Sequence, residues 1–161
     1  MKKLKLYLDA SAIGYLDEKS SQNDMYDMLS LWESIKNSKY EIVLSEITLD
    51  EINANKNTEK VNALIQYLAE ITYDIIQIDD EANRIAGLVK SNGLLISDKH
   101  QNDRLHIGCA IVAGCDVLVS YNFKHLVNVR TIKGVRGIAS LSGYNSLDIM
   151  TPAMFVEEGD S

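Results

Sequence analysis

Proline is almost missing from this chain, with Pro152 the single one in 161 residues. Cysteine is nearly as scarce. Cys109 and Cys115 stand alone, with no CxxC pair and no second cluster, so reduced, partly buried thiols are expected rather than a structural zinc site. No stretch approaches the roughly 20 apolar residues of a membrane span. The opening Met1-Lys2-Lys3-Leu4-Lys5-Leu6-Tyr7-Leu8-Asp9 has too short an apolar run for a signal peptide and no small-residue cleavage site. A cytoplasmic protein without membrane attachment is expected. Positive charge is also in short supply, with 16 Lys and Arg against 23 Asp and Glu and a net charge of -7. That balance argues against a generally basic nucleic-acid binder, yet permits a local basic strip over an acidic, metal-filled site. Repeats, low-complexity runs and linkers are absent too.

What is present reads as one α/β domain over residues 1–161, with 46% hydrophobic and 24% charged residues. Short apolar strands are expected at Leu4–Leu8, Tyr40–Leu44, Asp74–Ile78, Val117–Ser120 and Ser146–Met150. Between them lie helical patterns. Tyr26, Leu29, Trp32 and Ile35 share one face, as do Val61, Leu64, Ile65 and Leu68. Ser45 and either Asp79 or Asp80 are suited to cap the helices that follow them. Strands alternating with helices predict a mainly parallel sheet in an α/β/α sandwich.

Three carboxylates hold the functional signal. Asp9 follows the first strand, Glu51 lies on the helix after the second, and Asp103 opens the helix that leads into Val117–Ser120. Each has a plain explanation alone. Asp9 and Asp103 suit helix caps, and Glu51 has Glu46 and Asp50 beside it as ordinary solvated acids. Ile47 and Glu51, however, share a helix face at i and i+4. In a parallel sheet all three positions converge on one edge, where open α/β sheets bind ligands. Carboxylates brought together raise one another's pKa values unless a cation neutralises them. Oxygen-only ligands suit Mg²⁺ or Mn²⁺, which can activate water against a phosphodiester. Lys99, His100, Arg104, Lys124, His125, Arg130, Lys133 and Arg136 could steer RNA phosphates there. Lys124, His125, Arg104 and Arg130 are the expected contacts. Core packing is expected for Phe123, and His106 reads as a hydrogen-bonded core histidine. An aspartyl-nucleophile phosphatase is disfavoured, because Ser11 stands where that chemistry needs a second acid.

The segments Tyr7-Leu8-Asp9-Ala10-Ser11, Leu44-Ser45-Glu46-Ile47-Thr48-Leu49-Asp50-Glu51-Ile52, Asp103-Arg104-Leu105-His106-Ile107 and Val119-Ser120-Tyr121-Asn122-Phe123-Lys124-His125 occur in this order. With the ending Gly143-Tyr144 through Pro152, they resemble the PIN-domain family, which includes VapC-type toxin ribonucleases. The resemblance implies a central parallel sheet and cleavage of single-stranded RNA without a covalent intermediate. It implies Asp9, Glu51 and Asp103 as metal-site acids, with Mg²⁺ or Mn²⁺ as cofactor. It also implies an antitoxin that inserts a helix into the acidic pocket, and a homodimer. Many members carry a fourth acid where this chain has Asn122, which offers a carbonyl oxygen but no charge. Asn122 therefore counts among the catalytic positions with weakened metal affinity, and a non-catalytic module binding RNA or a protein is the alternative. Asp116 begins the last central strand while Asn122 ends it, so Asp116 is expected at the opposite edge, in a structural role.

Overall fold

A computed structural model describes residues 2–155. Its centre is a five-stranded parallel sheet: β1 (Leu4–Leu8), β2 (Tyr40–Ser45), β3 (Asp74–Ile76), β4 (Val117–Val119) and β5 (Asp148–Met150), in the order β3-β2-β1-β4-β5. The strands alternate, but both faces are apolar. Leu6, Leu8, Ile42, Leu44, Val117 and Val119 point into one core with Met28, Leu31 and Trp32. Tyr7, Val43, Leu118 and Ile149 point into the other with Ile85, Ile107 and Val135. A parallel sheet covered by helices on both sides requires this double-sided pattern. The α/β/α sandwich with a parallel sheet expected from the sequence is the fold observed.

The first layer holds α1 (Ala10–Gly14), α2 (Gln22–Lys36), α3 (Glu46–Asn53) and α4 (Thr58–Leu68). The second holds α5 (Asp80–Ser91), α6 (Gln101–Val112) and α7 (Val129–Leu141). Polar residues fix where five of these helices begin. Asp9, Ser45, Asn57, Asp79 and Asn128 accept the backbone N–H of Ala12, Thr48, Lys60, Ala82 and Thr131, satisfying donors that a helix start leaves orphaned. The whole of α7 is absent from the sequence reading. Gly134 and Gly137 interrupt its pattern, yet Gly134 is where Leu94 packs against the helix. Three strands are shorter than expected: Ile78 lies beyond β3, β4 ends at Val119 rather than Ser120, and β5 starts at Asp148 rather than Ser146.

Helices α5 and α6 touch through small residues. A Cβ built on Gly108 would stand 2.4 Å from the backbone oxygen of Ala82. Gly108→Ala should gain about 1 kcal/mol of helix propensity. Moving a helix backbone out of the way costs more, so we expect a net loss of about 2 kcal/mol in denaturant unfolding. An unchanged midpoint would show that α5 yields freely.

Both cysteines are buried and free, and burial raises their thiols to about 11 for Cys109 and about 12 for Cys115, making them inert at neutral pH. Among the described residues, no helix is long and apolar enough to cross a membrane.

Candidate active site

The strand order reverses direction at β1, and the chain leaves β1 and β4 side by side, with Asp9 N–H donating to the Val119 carbonyl at 3.3 Å. Ligand crevices in open α/β sheets form where the order switches, beyond the carboxyl ends of the strands. Asp9 is 3% exposed. Its Oδ1 accepts from Ala12 N–H at 2.9 Å and from Ser11 Oγ at 2.7 Å, so the capping and site readings of this residue hold together. Burial raises its carboxyl above the ordinary 3.8, against the lowering influence of His106, Ser120, Ser11 and the Ala12 N–H.

Asp103 lies inside the first turn of α6 rather than at its cap, half-buried. Burial raises its carboxyl; His106 and His100 oppose the rise, and the charges of Asp9 and Glu51 add to it. Asp103 therefore feels both other acids across the end of the sheet. Glu51 reaches the edge from α3 and is more exposed, and its Oε1 stands 2.5 Å from His106 Nε2.

His106 was expected in the core as a hydrogen-bonded histidine, and it is there, 1% exposed. Its link to Glu51 was not expected. On the ring's far side Nδ1 lies 2.6 Å from Tyr7 Oη, which donates to Ser45 Oγ at 2.6 Å. Burial raises the Tyr7 hydroxyl well above its ordinary value, keeping it a donor. One buried ring thus joins a site acid to the core polar chain. The spacing of Asp103 and His106, i and i+3 on one helix, was the available signal.

Asn122 belongs to the same cluster. Its Oδ1 accepts from His125 N–H at 3.2 Å, which leaves Nδ2 facing Asp103 Oδ2 at 3.4 Å. A neutral amide donates to Asp103 where a fourth acid would repel it. Asn122→Asp should therefore cost about 1 kcal/mol of thermal stability without metal, and a divalent ion should reverse that loss. Melting curves with EDTA and with Mn²⁺ check this. A variant equally stable in both conditions would contradict it.

The basic residues separate into two groups. Lys124, His125 and Arg130 line a cavity of about 430 Å³ together with His100. Arg104 does not join them. It is buried, and its guanidinium donates to the carbonyls of Leu95 and Ser97, so its expected RNA contact is corrected to a role inside the fold. Phe123 is likewise corrected: it is 54% exposed rather than packed in the core, because the chain turns out of β4 at Asn122. Asp116 sits at the opposite edge, where its carboxylate accepts from Lys5 N–H and Asn145 Nδ2, each at 2.8 Å.

The donor chemistry fits a hard divalent cation, with oxygen ligands whose burial and mutual repulsion a cation would relieve. As the side chains stand, no three His, Cys, Asp or Glu among the described residues form a ready ligand cage, and Glu51 is turned onto His106.

Three solved structures are similar to this chain. One is VapBC2 from Rickettsia felis bound to a DNA fragment from its promoter, 20% identical with a TM-score of 0.55, covering 92% of this chain and 98% of that one. Another is FitAcB from Neisseria gonorrhoeae, 17% identical with a TM-score of 0.57, covering 91% and 97%. The third is VapBC-5 from Mycobacterium tuberculosis, a member of the VapBC family of toxin-antitoxin systems, 14% identical with a TM-score of 0.51, covering 91% and 98%. No protein-family model and no curated protein matches the sequence. The likeness at these identities is one of fold.

Proposed function

We propose that this chain is a divalent-metal-dependent endoribonuclease acting on single-stranded RNA, and the toxin half of a toxin–antitoxin pair. The observation that supports the reading is that the charges of Asp9 and Glu51 both act on the Asp103 carboxyl, with Asp9 at the switch point of the sheet. Asp9 and Asp103 would hold Mg²⁺ or Mn²⁺, with Glu51 as the third acid of the site. The ion would supply an activated water and offset charge at the scissile phosphate. The chain's own residues do the rest. Ser11 and the Ala12 N–H fix the Asp9 carboxylate by two hydrogen bonds, and Asn122 orients Asp103. His106 holds Glu51 beside the crevice, so that Glu51 can take a proton from a water there.

Two cavities flank the acids. One holds Lys124, His125 and Arg130; the other, about 220 Å³, holds Ser11, Tyr15, Glu51 and Lys60. A strand laid across both passes over the acids, with cations near its phosphates. The toxin–antitoxin character of VapBC-5 supports an antitoxin as partner here too. A cytoplasmic location and a homodimer go with the same reading.

Incubation of purified protein with single-stranded RNA and Mg²⁺ or Mn²⁺ tests it. Cleavage that EDTA stops and Glu51→Gln slows about 100-fold is expected, the usual contribution of a positioned general base. Intact RNA under all these conditions would favour a non-catalytic RNA- or protein-binding module. That second reading draws on Asn122, whose carbonyl is already committed to His125 N–H.

A further inference from the structure

We propose that the cavity of about 430 Å³ beside Asp103 is a nucleotide subsite, taking one phosphate and its nucleoside from the strand next to the scissile bond. The assignment to RNA rests on the function proposed above; the anion site itself rests on the cavity. In a protein of net charge -7, its lining includes Lys124, Arg130, His100 and His125 and no carboxylate. The two imidazoles face each other at 4.1 Å between ring centroids. His125 feels this crowding: burial disfavours its charged form, and His100, Lys124 and Lys99 disfavour it further against the opposing charge of Asp103. An anion seated there finds the permanent charges of Lys124 and Arg130 as partners.

Apolar side chains complete the wall. Leu94 is buried against Gly134, and Ile96 stands 62% exposed. Cations together with exposed hydrocarbon match a phosphate carrying a nucleoside better than a bare ion. The wall is also held in place. Leu95 has a left-handed backbone at φ 50°, a costly conformation for a branched side chain. Arg104 fixes it by donating to the Leu95 and Ser97 carbonyls, and Arg130 adds a 3.0 Å bond to the Gly93 carbonyl. Arg104 is thus a positioning residue for the subsite. His100 Nδ1 lies 3.5 Å from Asp103 Oδ2, which places the cavity directly alongside the acids.

The test is a nuclear magnetic resonance titration of histidine ring signals in EDTA, with inorganic phosphate, adenosine and adenosine 5′-monophosphate as probes. The chain has 3 histidines, and buried His106 serves as the internal reference. Phosphate and the monophosphate should move His100 and His125 and leave His106 still. The monophosphate should bind roughly tenfold more tightly than phosphate through the apolar wall. Lys124→Ala, at an exposed position, should weaken it about fivefold, as loss of a charge-assisted contact does. Ile96→Glu should weaken it at least as much by placing a carboxylate in the wall. Still signals well past about 1 mM monophosphate would overturn the subsite, and so would equal affinity in both variants. A glutamate-rich peptide binding there more tightly than the monophosphate would replace the nucleotide with an acidic partner. RNA cleavage without these shifts would sink the subsite and spare the ribonuclease. The shifts without any RNA cleavage would do the reverse.

Discussion

Asp9→Asn should abolish RNA cleavage, by about 1,000-fold or more, while making the metal-free protein more stable by about 1 kcal/mol. The two effects share one cause. Asp9 sits in a place that disfavours ionisation, with its carboxyl raised above 3.8 by burial. A carboxyl raised in the folded state binds its proton more tightly there than in the unfolded chain. Its contribution to stability is complete below about pH 4 and is lost as pH climbs through the folded value. The gap between Asp9→Asn and wild type should therefore be smallest near pH 4 and widen toward pH 7. Asn keeps the oxygen that accepts from Ser11 and Ala12 N–H, so α1 stays capped. Denaturant unfolding in EDTA at several pH values checks the stability half. A destabilised variant at pH 7 would show that Asp9 serves the fold rather than a site.

His106→Ala is the second large effect, and it runs the other way. The ring is buried between Tyr7 and Glu51, and its removal leaves a cavity and strips a partner from each. Burying the Tyr7 hydroxyl with one partner fewer and emptying the ring's volume should together cost about 3 kcal/mol. In a chain of 161 residues that amounts to a fall of about 10 °C in Tm. His106→Gln, which can keep one of the two bonds, should lose roughly half as much. If alanine cost less than about 1 kcal/mol, the polar chain through Tyr7 would be a packing accident.

Much of the fold is legible in the sequence. Leu4–Leu8 and Tyr40–Leu44 read as strands because they are short, largely apolar runs that end at Asp9 and Ser45, and Ser45 and the pair Asp79 and Asp80 marked the helices that follow by residue type alone. The positions of Asp9, Glu51 and Asp103 at one sheet edge followed from the alternation of strand and helix. What stayed hidden depended on contacts between distant segments. Helix α7 carries two glycines that propensity counts against it, and only the Leu94 side chain across from Gly134 explains one of them. Arg104 reads as a surface cation beside Asp103. Nothing local shows that the loop through Leu95 folds back over it and presents two carbonyls. Phe123 looked like core by composition, whereas the turn at Asn122 carries it outward. The hold of His106 on Glu51 joins residues 55 positions apart. Helical spacing could place each on an inward face but could not pair them.

The most direct test of the central claim is calorimetric titration of Mn²⁺ into wild type and Asp103→Asn. A metal site built on Asp9 and Asp103 predicts binding by wild type, accompanied by proton release as the raised carboxyls ionise fully, and loss of both heat and protons in the variant. Absence of Mn²⁺ binding by wild type, or equal binding by the two proteins, would contradict the account and leave the three acids without their cation.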